Sequence, residues 1–298
     1  MSPVIRDASH AGSWYAADGR VLAQELQKWL QTAKNDAGTG GGACRAIIAP
    51  HAGYSFSGPT AAYAYDAIVS TSVKRVFLLG PSHHWHLRTC ALSKASVYRT
   101  PLGDIAIDAG IYNELASTGQ FKEMPLDVDE AEHSLEMHLP YIFQIMQGQA
   151  FTLVPILVGS LSPEGEAQYG SLLSKYMDDA SNLFVISSDF CHWGKRFGFT
   201  LYDDKCGPIH KSIELLDKTG MELIERKDIA GFTEYLQQYG NTICGRHPIG
   251  VLLNILERCR DAASMRVKFM RYAQSSPCKC MNDSSVSYAS AVVSLDGP

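Results

Sequence analysis

The sequence predicts a single α/β domain, residues 1–298, built around a mainly parallel β-sheet flanked by helices. Three observations carry that expectation. Short, continuous apolar runs recur, each closed by turn residues; helical patterns separate them; and no long linker interrupts the alternation.

The strand candidates come first. Residues 45–49 read Arg-Ala-Ile-Ile-Ala, and Pro50-His51-Ala52-Gly53-Tyr54 turns the chain. Residues 75–80 form a second run, followed by Pro81-Ser82-His83-His84. Residues 182–188 form a third, followed by Asp189-Phe190-Cys191-His192-Trp193-Gly194, and residues 151–158 a fourth, ending at Gly159-Ser160. Runs this short and this apolar read as strands buried on both faces. Residues 265–272 and 286–295 read as closing strands, antiparallel to the rest.

Helical spacing covers 59–69, 108–118, 135–146, 163–177, 209–216, 228–238 and 248–259. Pro59 and Pro248 suit a first turn, Asp108 a cap, and Gly119 the residue just past a helix end. The glycines from 38 to 42 precede a strand and lack a Lys-Ser/Thr ending. They therefore predict a flexible surface loop rather than a phosphate cradle.

Composition narrows the function classes. A hydrophobic fraction of 46% with 19% charged residues is that of a globular chain rather than a disordered one. The net charge of −5, with no basic stripe, argues against nucleic acid and anionic membranes as partners. No stretch reaches the roughly 20 apolar residues of a membrane span. The opening MSPVIRDASHAGSWY is not a secretory signal. The expectation is a cytoplasmic protein, with the nucleus left open as a second compartment, whose eight cysteines stay mostly as thiols. Cys278-Lys279-Cys280 is read as incidental.

Ligands of open α/β sheets bind beyond the carboxyl ends of the strands. Three predicted strands deliver His51, His83 and the Asp189/His192 pair to that rim. Imidazole and carboxylate gathered there are the materials of a transition-metal or proton-transfer site. Cys244 precedes a helix start marked by Pro248. Either the helix dipole, aided by Arg246, lowers its pKa, or it is a buried structural cysteine. In Glu132-His133-Ser134-Leu135-Glu136-Met137-His138, His133 and Glu136 would share a helix face and a hydrogen-bond network, with Ser134 as cap. The spacing is not that of a zinc protease.

At these motifs the sequence resembles the Memo family, named for mediating ErbB2-driven cell motility. The matching stretches are Ala8-Ser9-His10-Ala11-Gly12-Ser13-Trp14-Tyr15, Ile48-Ala49-Pro50-His51-Ala52-Gly53-Tyr54, Leu79-Gly80-Pro81-Ser82-His83-His84, and the Glu132–Tyr141 segment. Ser187 to Gly194, Asn241 to Pro248, Tyr272 to Ser276 and Asp283 to Ala289 also match. The resemblance implies a fold similar to class III extradiol dioxygenases, non-haem iron enzymes with two histidines and a glutamate as ligands. His51 and His83 match the histidine positions, and Cys244 takes the place of the carboxylate. His192 and Asp189 lie alongside as candidate acid–base groups.

Thiolate is softer than carboxylate, favours copper(I) or zinc, and is itself oxidisable. The resemblance thus implies a copper or iron ion and a redox-linked role rather than ring cleavage, although His2Cys sites also suit zinc. It further implies phosphotyrosine-bearing receptor tails or cytoskeletal regulators as partners. Such a peptide needs basic donors and an aromatic slot, which Trp14, Tyr54, Phe190 and Arg246 would supply. A metal-free phosphotyrosine-peptide adaptor and an iron ring-cleaving dioxygenase, with Asp189 as stand-in carboxylate, are the competing readings.

Overall fold

The computed structural model describes residues 2–36 and 42–296. Of the glycine-rich stretch read as a loop, all but Gly42 lies outside these residues. In chain order the elements are β1 (Ile5–Arg6), α1 (Gly19–Asp36), β2 (Ala43–Ala49), α2 (Tyr54–Tyr65), β3 (Arg75–Pro81), β4 (Cys90–Ser93), β5 (Val97–Thr100) and β6 (Gly103–Ala106). There follow α3 (Ala109–Ser117), β7 (Phe121–Met124), α4 (Leu126–Ala131), α5 (His133–Glu136), α6 (Leu139–Ile145), β8 (Thr152–Val158) and α7 (Pro163–Met177). The last are β9 (Asn182–Ser187), β10 (His192–Trp193), α8 (Ile209–Glu225), α9 (Ile229–Tyr239), α10 (Arg246–Arg258), β11 (Met265–Gln274) and β12 (Ser285–Leu295).

The main sheet has nine strands in the order β10-β12-β2-β9-β3-β8-β4-β7, with β11 paired to β12. Its centre, β2-β9-β3-β8, is parallel throughout. The flanks are mixed: β12 runs antiparallel to β2, β10 and β11, and β4 runs antiparallel to β8 while pairing parallel with β7. The four apolar runs are those central strands, and the two closing strands pair with each other as an antiparallel ribbon. A second, three-stranded sheet joins β1, β5 and β6.

Successive strand side chains point to opposite faces, so each central strand feeds two cores. Ala46, Ile48, Phe77, Leu79, Phe184 and Ile186 enter one, with side chains from α7 and α10. Ile47, Ala49, Val76, Leu78, Leu183 and Val185 enter the other, with α1, α2 and α6. Each such fully buried Leu, Ile, Val or Phe side chain stabilises the fold by about 1.5–3 kcal/mol.

The helix starts follow local chemistry. The Asp108 carboxylate accepts from Ile111 N–H and caps α3; Asp228 accepts from Gly231 N–H and caps α9. Three expectations need correction. Pro59 lies inside α2, which begins at Tyr54. The helix expected over 135–146 is two short ones, because Pro140 cannot donate to the turn before it. The cap of α5 is Glu132, whose side chain accepts from Ser134 N–H; Ser134 itself donates to Pro81 O. Helix α1 carries no element in the sequence reading, although its buried stripe of Leu22, Leu26 and Ala33 keeps helical spacing. Among the described residues, no helix is long and apolar enough to cross a membrane.

Candidate metal centre

Strands β2, β9 and β3 are neighbours and run parallel, with Ala49 beside Ser187 and Leu79 beside Ile186. Their carboxyl ends therefore emit His51, Asp189 and His83 side by side. Cys244 arrives from a different element, the turn ahead of α10. Gly245 lets that turn press onto the strand ends, since a Cβ there would fall 2.3 Å from Ser188 Cβ and 2.4 Å from Ser187 O. Donor atoms of His51, His83 and Cys244 all lie within 4.8 Å of one another. Cys244 Sγ is 3.1 Å from His51 Nε2.

Hydrogen bonds set which nitrogen of each imidazole is bare. Ser187 Oγ donates its one proton to Ser134 O (2.7 Å), so it can only accept from His51 Nδ1, 2.5 Å away. His51 thus carries its proton on Nδ1 and turns an unprotonated Nε2 toward the sulfur. Burial, then the neighbouring histidines, hold its pKa well below the ordinary value, so the ring is neutral. His83 repeats the pattern. Its Nδ1 lies 2.8 Å from Glu132 Oε1, an acceptor when ionised, so the neutral form of the ring carries its proton on Nδ1 and offers Nε2 as the ligand atom. Burial opposes charge on Glu132, yet hydrogen bonds from His83 and from the His83 and Ser134 N–H groups bring its pKa down to about 2. A carboxylate or hydroxyl behind each imidazole is the usual support of a metal-ligating histidine. His83, Glu132 and His133 also lie close enough to suggest a second donor set. The 2.8 Å contact between two of its members is a hydrogen bond, which makes Glu132 a support for His83.

The thiol behaves differently from one expectation. Its place before a helix suggested a lowered pKa, but burial pushes Cys244 well above the ordinary thiol value, and the nearby Asp189 carboxyl adds to the rise. Asp189 N–H donates to Cys244 Sγ at 3.3 Å. The Asp189 carboxyl, 3% exposed, accepts from His51 N–H at 2.9 Å, and burial raises its pKa. His192 Nδ1 sits 2.9 Å from Phe190 O and 3.1 Å from Thr242 O, both acceptors, so Nδ1 carries a proton and the neutral form of the ring has Nε2 free to accept one. The chemistry of the donor set, two imidazole nitrogens and one thiol, with His51 buried, Cys244 half-buried and His83 exposed, fits a soft or borderline transition metal. It does not supply the carboxylate ligand of an extradiol dioxygenase: Glu132 is committed to His83, and Asp189 to the His51 backbone.

His133 is the residue whose place the sequence reading missed. Its ring centroid lies 4.3 Å from that of His83, 5.4 Å from His51 and 4.5 Å from Trp14. Burial first, then His83, lowers its pKa to about 3. The expected bond network between His133 and Glu136 is absent; Glu136 turns to the amino-terminal segment instead. It accepts from Arg6 Nη1 (2.6 Å), His10 N–H (2.9 Å) and Tyr15 OH (2.7 Å), which fixes Trp14 against His133. Gly80 allows α5 this close to β3, since a Cβ there would meet Ser134 Oγ at 2.6 Å. Of the loop imidazoles, His84 is exposed, its centroid 6.0 Å from that of His133, and His86 is exposed.

The four residues expected to form a peptide slot do not share one. Trp14 stands at the crevice, half-buried. Tyr54 is 3% exposed, with its OH donating to Met137 O, and Phe190 is wholly buried with its ring edge-on to Phe269. Both are packing residues. Arg246 lines another cavity, with Phe232, Leu236 and His247, to which none of His51, His83 and Cys244 contributes.

A family model described as "Memo-like protein" matches residues 6–292. The chain is 54% identical over 293 residues to "Protein MEMO1" of Danio rerio, covering 97% of each chain. It is 52% identical over 298 residues to "Protein MEMO1" of Homo sapiens, covering 98% of each. To "Protein memo-1 homolog" of Caenorhabditis elegans it is 48% identical over 291 residues, covering 97% of this chain and 82% of the relative. A family model spanning nearly the whole chain, with relatives this similar at full length, means that the chain belongs to the Memo-like family.

Proposed function

We propose that this protein holds a copper or iron ion on His51, His83 and Cys244 and acts as a Memo-type link between cellular redox state and receptor tyrosine kinase signalling, cell motility and the cytoskeleton. One observation carries the metal reading. Two imidazoles, each tied at Nδ1 by a buried acceptor, bring donor nitrogens within 4.8 Å of each other and of the Cys244 sulfur. The signalling part rests on the family resemblance. When bound, such an ion supplies one-electron redox chemistry and Lewis acidity.

The chain's own residues do the rest. Ser187 and Glu132 hold the imidazoles in their tautomers. Asp189 braces the His51 backbone and the Cys244 sulfur. His192, oriented by Phe190 O and Thr242 O, is the group at the rim that would exchange a proton through Nε2. Trp14 and His133 form an aromatic wall beside the corner.

The test is metal content of protein purified without oxygen, measured beside Cys244→Ser and His51→Ala. Near-stoichiometric copper or iron in the parent and at least a tenfold loss in both variants are expected. Equal content in all three ends the reading.

A further inference from the structure

Cys244 reaches the histidine corner on a turn without regular secondary structure, between Tyr239 at the end of α9 and Arg246 at the start of α10. Whatever holds that turn decides where the sulfur lies. Thr242 provides one tie: its Oγ1 accepts from His192 N–H at 2.7 Å and donates to His192 O at 3.0 Å. Asn241 provides another. Its Nδ2 donates to Tyr235 OH at 2.7 Å and to Asp217 Oδ1, in the middle of α8, at 3.0 Å.

Asp217 holds more than Asn241. The same Oδ1 accepts from Cys191 N–H at 3.2 Å, and Oδ2 accepts from Tyr272 OH of β11 at 2.9 Å. Cys191 stands between Asp189 and His192, so one carboxylate oxygen joins the Cys244 turn to the segment that follows β9. Asp217 is wholly buried, these partners are neutral donors, and no cation pairs with it among the described residues. Burying a carboxyl without a cation weakens a fold relative to a neutral side chain. Stability therefore does not account for a carboxylate here, whereas geometry does. Donors arrive from three separate segments, and a carboxylate presents acceptors to all of them at once.

We infer that Asp217 is a positioning residue of the metal centre: it ties the Cys244 turn to the Asp189–His192 segment and so fixes the sulfur opposite His51. The consequence for the metal rests on the function proposed above; the tie itself does not. Without the carboxylate, Cys191 N–H loses its acceptor and Asn241 Nδ2 keeps Tyr235 OH alone. The turn is then held to the segment after β9 by Thr242 and by Gly245 N–H on Ser188 Oγ. His51 and His83 keep their own supports, Ser187 and Glu132.

Two measurements on the full chain test this. In metal-free protein, amide hydrogen exchange across residues 241–245 should quicken about 10–100-fold in Asp217→Leu. Asp217→Asn should stay near the parent, because its amide oxygen can face Cys191 and Asn241 while its NH2 meets the Tyr272 hydroxyl. Added cobalt(II) then reports the ligands separately, through visible d–d bands and a near-ultraviolet thiolate charge-transfer band. Asp217→Leu should keep the d–d bands and lose most of the thiolate band, as Cys244→Ser does, and Asp217→Asn should restore it. A folded Asp217→Leu with parental exchange or a parental thiolate band would overturn the assignment. Should that variant not fold, Asn241→Ala cuts the same tie, leaves Asp217 with Cys191 and Tyr272, and is read in the same way. Absence of cobalt bands in the parent would count against the metal reading, while the exchange comparison still decides whether Asp217 places Cys244.

Discussion

At the scale of single residues, the candidate centre depends on which imidazole nitrogen keeps its proton. Ser187→Ala removes the acceptor behind His51, and Glu132→Gln replaces the carboxylate behind His83 with a neutral amide. Each should weaken metal binding by about 10–100-fold, as loss of such supports does elsewhere. Competition with a chelator of known affinity measures it, with circular dichroism confirming the fold; unchanged affinity in both variants would remove the tautomer argument. His51, His83, Asp189 and His192 were readable in the sequence because each follows an apolar run directly. His133 was not. It belongs to a four-residue helix with no periodicity, and only packing of α5 on β3 brings it beside His83. The sequence leaves two readings of Cys244 open for a related reason: helix position is local, whereas the burial beside Asp189 that raises its pKa is not.

At the scale of elements, the site is held by two close approaches that glycine permits. Gly80→Ala would drive a methyl group into Ser134 Oγ and Leu135 at the start of α5. Overpacking of this kind costs about 1–3 kcal/mol. The variant should therefore unfold at lower denaturant, and it should also bind metal less tightly, because α5 follows Glu132. A variant with parental stability and affinity would show that α5 shifts without consequence. The long apolar or capped elements were legible: β2, β3, β8, β9, α3, α7 and α9 fall within a few residues of their expected bounds. Short β4 to β7 were not, since four residues carry too little pattern to separate a strand from a loop.

At the scale of the whole molecule, buried titrating groups set how stability depends on pH. His138 is 1% exposed, its Nδ1 is 2.7 Å from Tyr65 OH, and burial lowers its pKa to about 3. The unfolded chain takes a proton below about 6.5 that the folded site refuses, so this stability is present above 6.5 and lost as pH falls. Between pH 7 and 5 the loss from this group alone is about 2 kcal/mol. Asp217 has the opposite sign: burial raises it to about 6, so its contribution is full below the ordinary carboxylate value and fades as pH rises through 6. Denaturant titrations at pH 5 and 7 should show His138→Leu with a flatter acid loss than the parent and Asp217→Asn with a steeper one. Identical pH slopes in all three proteins would refute both assignments. We also propose that residues 1–298 form one cooperative unit, because β12 near the end pairs with β2 near the start. A single transition by fluorescence and circular dichroism is expected, and two separated transitions would argue for two domains.

What the amino-acid order determined by itself was the set of buried strands and the chemistry placed just after them, because apolar runs and the turn residues that stop them are local signals. It also carried the family, through motifs spread over nearly the full length. Tertiary structure alone decided that β9 lies between β2 and β3 and that Arg246 faces another cavity, while the meeting of Cys244 with the histidines was implied by the family resemblance and by no local spacing. Strand order and side-chain neighbourhood arise from contacts between residues far apart in the chain, and no local spacing encodes them.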